Sequence, residues 1–193
     1  MSQTLELWDY RRQVDAIYAR VRVGDGERAW NDWRRSRDDL FATHSQTPID
    51  DVSAFSGLDY FPYDPAWRTT GRFVASDETP WGDFVRIGHL EFAVMGREAT
   101  LPMFWLDAYG GGVFVPFGDL TNGSATYGGG RYLLDSVKGA DLGHHGDQVV
   151  LDFNYAYHPS CVHSPRWACP LAPADARLGF EVTAGERLIG RDD

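Results

Sequence analysis

From Thr4 to Val23 apolar residues recur at three- and four-residue steps, at Leu7, Tyr10, Val14, Ile17 and Val21. That spacing puts them on one face of an α-helix. Gly24-Asp25-Gly26 interrupts the pattern, and a glycine in the left-handed cap conformation is the expected terminator. A second helix is predicted from Glu27 to Ala42, with Ala29, Trp30, Trp33, Arg37, Leu40 and Phe41 on its buried side. Stripes of this kind face a core, so the two segments read as an antiparallel helical pair covering one side of a sheet.

Beyond Thr43 the periodicity changes. Residues 43–48 form a polar connector, and Tyr60-Phe-Pro-Tyr-Asp-Pro65 is an extended, proline-punctuated stretch that cannot be helical. Short β-like runs follow at Arg72–Ser76, Phe84–Ile87, His89–Met95, Ala99–Leu106, Val113–Phe117, Arg131–Leu134, Gln148–Tyr155 and Leu178–Thr183, each bounded by turn residues. Ala108-Tyr-Gly-Gly-Gly112 reads as the turn of a hairpin between Leu101–Asp107 and Val113–Phe117. The expected fold class is α+β, mainly β: an N-terminal antiparallel helical pair packed on an antiparallel β-barrel or sandwich. The chain, 1–193, reads as a single domain, with the helical pair at 1–43 and the β-rich part at 55–190; a pair of helices is too small to stand alone.

Composition narrows the function classes. A formal net charge of −10 excludes nucleic acid as the expected partner, because binding a polyanion requires a basic track. It argues equally against a polybasic membrane-surface role. Lys138 is the single lysine among 18 basic residues; a GC-rich genome accounts for that bias, salt adaptation being the alternative. No signal peptide is legible at the N-terminus and no apolar run is long enough to span a bilayer, so no membrane partner and a cytoplasmic location are expected. The two cysteines are then expected to be reduced thiols.

Candidate chemistry concentrates between Pro116 and Pro170. Gly128-Gly129-Gly130 lets backbone approach a ligand closely and form an anion-binding nest, and Arg131 directly after it can clamp a carboxylate or phosphate. The alternative is a glycine-rich turn with Arg131 paired to Asp119 or Asp135. No phosphate-loop lysine or following helix is present. As a strand, Asp152 and Asn154 would share one face, while Tyr155 and Tyr157 take the other. With Tyr127 and Arg131 nearby they would line a polar barrel mouth, a common small-molecule site, unless that face meets only solvent. The loop holding His158, Cys161, His163 and Cys169 carries four nitrogen or sulfur donors, but their spacing matches no standard zinc pattern. Cys161 as a nucleophile with His158 or His163 as base is a separate reading. The acidic pairs Asp38-Asp39 and Asp50-Asp51 read as solvated or capping residues.

Tyr60-Phe-Pro-Tyr-Asp-Pro, Pro116-Phe-Gly-Asp-Leu-Thr-Asn-Gly, Thr126-Tyr-Gly-Gly-Gly-Arg-Tyr, Asp152-Phe-Asn-Tyr-Ala-Tyr and the loop through Cys169-Pro170 together resemble a prokaryotic family, domain of unknown function 1684. The resemblance spans nearly the whole chain. It implies asparagine as the family residue where this chain has His158 and an aromatic where it has His163, against a family-wide zinc site on those positions. Asp175-Ala-Arg-Leu178 stands where the family pattern is Glu-Asn-Arg-Leu.

The leading expectation is a small-molecule domain for an anionic metabolite. Tyr127, Gly129, Arg131, Asp152, Asn154, Tyr155 and Tyr157 would bind the ligand, Asp119, Asp152 or Cys161 being the candidates for chemistry. A non-catalytic structural or protein-interaction module is one alternative. A metal- or thiol-dependent protein using Cys161 and Cys169 is the other. The sequence fixes no cofactor, and its identity is left open.

Overall fold

The computed structural model describes residues 2–188. The last positions of the predicted β-rich span, 189–190, lie outside it. Helix α1 spans Gln3–Val23 and α2 spans Gly26–Thr43, as the apolar spacing predicts. Gly24 separates them in extended, not left-handed, conformation. Its reason is closeness: a Cβ there would stand 2.7 Å from the Cβ of Ala29. Ile17, Tyr18 and Val21 of α1 and Trp30, Trp33, Arg37, Leu40 and Phe41 of α2 are buried. Leu7, on the predicted stripe, remains exposed, so the packed face covers only the later turns of α1. The pair seats on Leu58, Tyr60, Ala140 and Tyr155, which belong to connecting segments and the end of the β body.

Among the described residues nine strands follow in chain order: β1 (Asp59–Tyr60), β2 (Arg68–Trp81), β3 (Phe84–Val94), β4 (Arg97–Leu106), β5 (Val113–Phe117), β6 (Arg131–Asp135), β7 (His144–His145), β8 (Gln148–Asp152) and β9 (Glu186–Arg187). Seven of them form one curled antiparallel sheet, order β6-β5-β4-β3-β2-β8-β7, a half-barrel; β1 and β9 pair separately. The fold is thus mainly-β α+β with two N-terminal helices. The outer edge of β6 does not lie bare: Tyr132 and Tyr157 exchange both backbone hydrogen bonds, at 2.8 and 3.1 Å, which blunts an edge that would otherwise template pairing.

Alternation along the strands sorts the side chains. Leu90, Phe92 and Val94 of β3, Leu101 and Met103 of β4, Val115 and Phe117 of β5, and Val149 and Leu151 of β8 fill the inside of the curl, with Phe153 and Val182 closing it. On the other face, Phe104, Phe114 and Tyr132 form a smaller cluster with Trp81 and Phe84. Each fully buried Leu or Phe contributes about 1.5–3 kcal/mol, so the half-barrel has a core of its own beside that under the helices.

Four predicted strands are corrected. Phe84–Ile87 and His89–Met95 are one strand with a register shift at Gly88. Gly88 has φ 156° and presses on the carbonyl of Val74 and the ring of Phe73, leaving no room for a side chain. Gln148–Tyr155 stops being a strand at Asp152, whose carboxylate caps a short 3-10 turn over Phe153–Tyr155 by accepting the Asn154 N–H. Leu178–Thr183 joins no sheet. Its backbone is held by single bonds between Leu178 N–H and the Gly118 carbonyl and between Leu120 N–H and the Phe180 carbonyl, and by the side chains of Arg131 and Asp119 at Val182.

Candidate functional site

The half-barrel opens at one end into a cavity of about 460 Å³. Its wall takes Phe73 from β2, Ile87 from β3, Met103 and Trp105 from β4, Val113 from β5, Leu134 from β6 and Val149 from β8. Six strands converge there because inward positions near their ends run out of partners across the curl. Trp105 is 40% exposed, and it stands opposite Val113 in the β4–β5 register. Its indole lies against Gly111, where φ is +57° and a Cβ would overlap the ring. The hairpin predicted from Ala108-Tyr-Gly-Gly-Gly112 forms as expected. Its turn also shapes the tryptophan wall.

The rim is polar and carries no lysine or arginine: Ser136, Asp141, Gly143, His144, Gly146 and Asp147. Asp141 is partly engaged, accepting the Gly143 N–H at 3.0 Å and lying 3.7 Å from Arg22. Asp147 and His144 are exposed. An apolar wall with a few polar groups at its lip is the usual composition of a small-molecule pocket, and its volume is within the usual range.

The residues singled out from sequence lie elsewhere, and the structure uses them to hold chain together. Arg131 is fully buried. It donates to Asp119 Oδ2 at 2.9 Å and to the carbonyls of Val182, Ala184 and Glu186, every second residue of the last extended segment. The expected anion clamp is therefore corrected: the guanidinium presents no face to a ligand, and the Asp119 pairing is the one formed. Asp119 is saturated in turn, its Oδ1 accepting from the Thr121 N–H and hydroxyl and from the Val182 N–H. A carboxylate so engaged has no lone pair to serve as a base. Asp135 pairs instead with Lys138 at 2.8 Å.

Asp152 and Asn154 are buried together, but not around Arg131. Asp152 accepts from Asn154 through Oδ1 and from Arg68 at 3.3 Å through Oδ2; burial pushes its pKa up. Asn154 bonds reciprocally with the backbone of Asp64, at 3.1 and 2.9 Å, and its carbonyl accepts the Trp30 indole N–H. The turn ties the 60–65 stretch and α2 to the β body. Tyr155 packs edge-on against Trp33, and Tyr157 against Tyr132. Neither lines an open mouth, nor does the polar strand face expected of Asp152 and Asn154 exist. Tyr127 and Gly129 are partly exposed. The turn's Gly130 N–H is taken by the Tyr127 carbonyl and the Gly129 carbonyl accepts from Ala172.

A second polar centre, unsuspected from sequence, surrounds Glu186. This fully buried carboxylate accepts from Arg37 at 2.8 Å and from the His158 N–H at 3.2 Å. The His158 and His163 rings lie 3.3 and 3.6 Å from its Oε1. Burial alone would raise the carboxyl pKa; Arg37 and the two histidines outweigh that and hold it well below the carboxylate range. Arg37 also donates to the Tyr60 hydroxyl, so the cluster bolts α2 to β1 and β9. The signal available in sequence was Arg37 itself, a charge on the apolar stripe of α2, which demands a buried partner.

The loop of the two cysteines offers neither predicted chemistry. His158 Nε2 accepts the Tyr127 N–H at 3.2 Å and its other nitrogen faces Glu186, leaving no nitrogen for a metal or for a thiol. Burial lowers its pKa. Among the described residues, no three of His, Cys, Asp and Glu are grouped to hold a metal ion. Cys161 and Cys169 are free and half-buried. Burial and the neighbouring Cys169 push the Cys161 thiol up, the reverse of what a nucleophile needs.

Among the described residues, no helix is long and apolar enough to cross a membrane. No curated protein matches the chain. The solution NMR structure of an uncharacterized protein from Haloarcula marismortui is similar, with 34% identity and a TM-score of 0.60 over 82% of this chain and 92% of that one. The model described as "Protein of unknown function (DUF1684)" matches residues 53–187, a span that contains the whole half-barrel and the Arg131–Asp119 clasp, while Arg37 of the Glu186 centre lies outside it. The chain belongs to the DUF1684 family.

Proposed function

We propose that this protein binds a small apolar or aromatic molecule, neutral or positively charged at its polar end, in the mouth of the half-barrel. One observation carries the reading: side chains of six strands leave an open, apolar cavity of about 460 Å³ with a partly exposed tryptophan in its wall. Solvent-exposed apolar concavities of this kind are costly to keep unless something occupies them. The charge of the ligand follows from the rim. Asp147 and Asp141, the latter 3.7 Å from Arg22, stand there, with no lysine or arginine among the lining residues, and the arginine on which an anionic ligand depended is enclosed. A ligand of about 20 heavy atoms, at about 0.3 kcal/mol per atom, binds with a Kd on the order of tens of micromolar.

The test is a titration of the full chain with N-phenyl-1-naphthylamine, followed by displacement with octanol, octylamine and octanoate. Saturable enhancement, displaced by the alcohol and the amine and poorly by the carboxylate, is expected. Trp105→Ala, at a half-exposed position where truncation costs little stability, and Val113→Trp, which fills the mouth, both abolish it. Probe binding that survives both substitutions, or displacement led by octanoate, refutes the assignment.

A further inference from the structure

We propose that the space between α1, α2 and the 3-10 turn Ser136–Lys138 is a second binding site, for a short-chain carboxylate. A cavity of about 60 Å³ lies there, room for about four to six water-sized groups. Its helical walls are apolar, with Val14 and Ile17 from α1 and Leu40 and Phe41 from α2. Those walls are pinned apart from outside. Arg11 donates to the Val137 carbonyl at 2.6 Å, and Arg22 to the Gly139 and Asp141 carbonyls at 3.2 and 3.1 Å. Gly139 meanwhile meets α1 so closely that a Cβ on it would stand 2.7 Å from that of Asp15. The cavity shares no lining residue with the mouth.

The polar part of the lining is rich in donors. Arg37 and Lys138 bring cations, and Tyr10, Tyr18, Tyr157 and Ser160 bring hydroxyls; no aspartate or glutamate lines the space. The carboxylates that pair with the two cations, Glu186 with Arg37 and Asp135 with Lys138, each at 2.8 Å, stand outside the lining, so a guest meets the cations first. Arg37 is buried, its guanidinium carbon 4.8, 5.3 and 5.3 Å from the rings of Trp33, Phe41 and Tyr157. Its bonds to Tyr60 and Glu186 use two of its five N–H groups. The Tyr10 hydroxyl has no hydrogen-bond partner among the described residues, its ring contact being with His44 at 5.3 Å. Burial pushes the Tyr10 phenol up to about 12 and raises those of Tyr18 and Tyr157 as well, so all three stay donors at neutral pH. The His158 ring is already taken by Tyr127 and Glu186. A carboxylate brings acceptors only and so complements this lining, whereas an ammonium meets two cations, and water carries donors as well as acceptors. An aliphatic tail of about two carbons reaches the limit of the volume. With so few atoms the Kd is on the order of a millimolar.

Saturation-transfer NMR on the full chain with propionate, at constant ionic strength, tests this. Saturable transfer to propionate is expected, displaced by acetate and not by hexanoate, which is too long. Propionamide keeps the shape without the charge and binds about tenfold more weakly. Tyr10→Phe removes one hydroxyl and weakens propionate about tenfold. Val14→Phe fills the cavity and abolishes the transfer, circular dichroism and the urea midpoint reporting whether the helices stay packed; if that variant does not fold, Tyr10→Phe carries the test alone. Absence of transfer from the unsubstituted chain, propionamide binding as tightly as propionate, propionate affinity unchanged in Tyr10→Phe, or transfer that survives in folded Val14→Phe overturns the proposal. Naphthylamine binding at the mouth is read separately on the same variants and is expected to be unchanged, so either site can fail without the other.

Discussion

Replacing Arg131 with Ala tests whether its guanidinium is a clasp of the fold. The structure assigns it four acceptors, all buried: Asp119 Oδ2 and the carbonyls of Val182, Ala184 and Glu186. Truncation leaves a buried carboxylate without its counter-ion, for which about 3–5 kcal/mol is lost. The orphaned carbonyls add about 1 kcal/mol each if no water reaches them, although terms that share one partner do not sum fully. Against a total stability of about 5–15 kcal/mol for a domain, the variant is severely weakened or unfolded. Urea unfolding monitored by circular dichroism reads this. With a slope of about 2 kcal/mol per molar, the midpoint falls by about 1.5–2.5 M. Arg131→Lys keeps the cation but offers three donors for four acceptors, so it falls in between and keeps the measurement usable if the alanine variant does not fold. Arg131→Met with Asp119→Leu removes both charges and costs less than the sum of the single changes by about 2 kcal/mol or more. A midpoint for Arg131→Ala within about 0.3 M of the unsubstituted chain, or additivity of the pair, refutes the clasp and returns Arg131 to the list of residues free to meet a ligand.

Stability should fall on acidification in two stages. The unfolded chain protonates His158 near 6.5 and Glu186 near 4.5, while the folded protein holds both groups below those values; the stabilisation is complete above each and is lost as pH drops through the folded value, at up to about 1.4 kcal/mol per pH unit for each group. His158→Gln should flatten the stage that begins below 6.5, and an unchanged profile of urea midpoint against pH would contradict the burial assigned to that ring. Gly111→Ala forces a Cβ into the Trp105 indole at φ +57°, so tryptophan emission should shift and naphthylamine binding should weaken with a stability loss of about 1–2 kcal/mol; an unaltered emission spectrum would show that the hairpin turn does not set the ring.

The helices and most of the sheet were legible because a period of three to four, or of two, is imposed by burial of one face. The spacing of Trp30, Trp33, Arg37 and Leu40 predicts the buried side of α2 as it stands. The segment 178–183 misled because an apolar, extended run satisfies the strand pattern whether or not a neighbouring strand supplies its hydrogen bonds. Here isolated backbone bonds to Gly118 and Leu120 and the side chains of Arg131 and Asp119 supply them, and no local pattern reports partners 50 or more residues away. Asp152 misled in a related way: alternation assumes the strand continues, yet a carboxylate two residues before an available N–H also caps a turn. The mouth was invisible for a third reason. Phe73, Ile87, Met103 and Val149 have the sequence character of core residues, and only the curvature of the sheet leaves their ends uncovered.

That division has a physical cause. A half-barrel keeps two open edges, and the chain that covers them, from 118 to 130 and from 153 to 188, runs largely outside the ladder. Its buried N–H and C=O groups still require partners, which come in part from scattered backbone bonds, such as Leu178 to Gly118 and Glu186 to Ala156, and in part from side chains. Asp119, Arg131, Asp152, Asn154 and Glu186 are the side chains that supply them, so the most conspicuous polar residues of the sequence are those with the least capacity left. A binding surface needs the opposite property: groups in the folded state whose contacts are incomplete. The wall around Trp105 has it, with apolar area facing water and the exposed Asp147 carboxylate at the rim. On that argument recognition belongs to the mouth, where the sheet stops, and the buried charges set how firmly the mouth is held open.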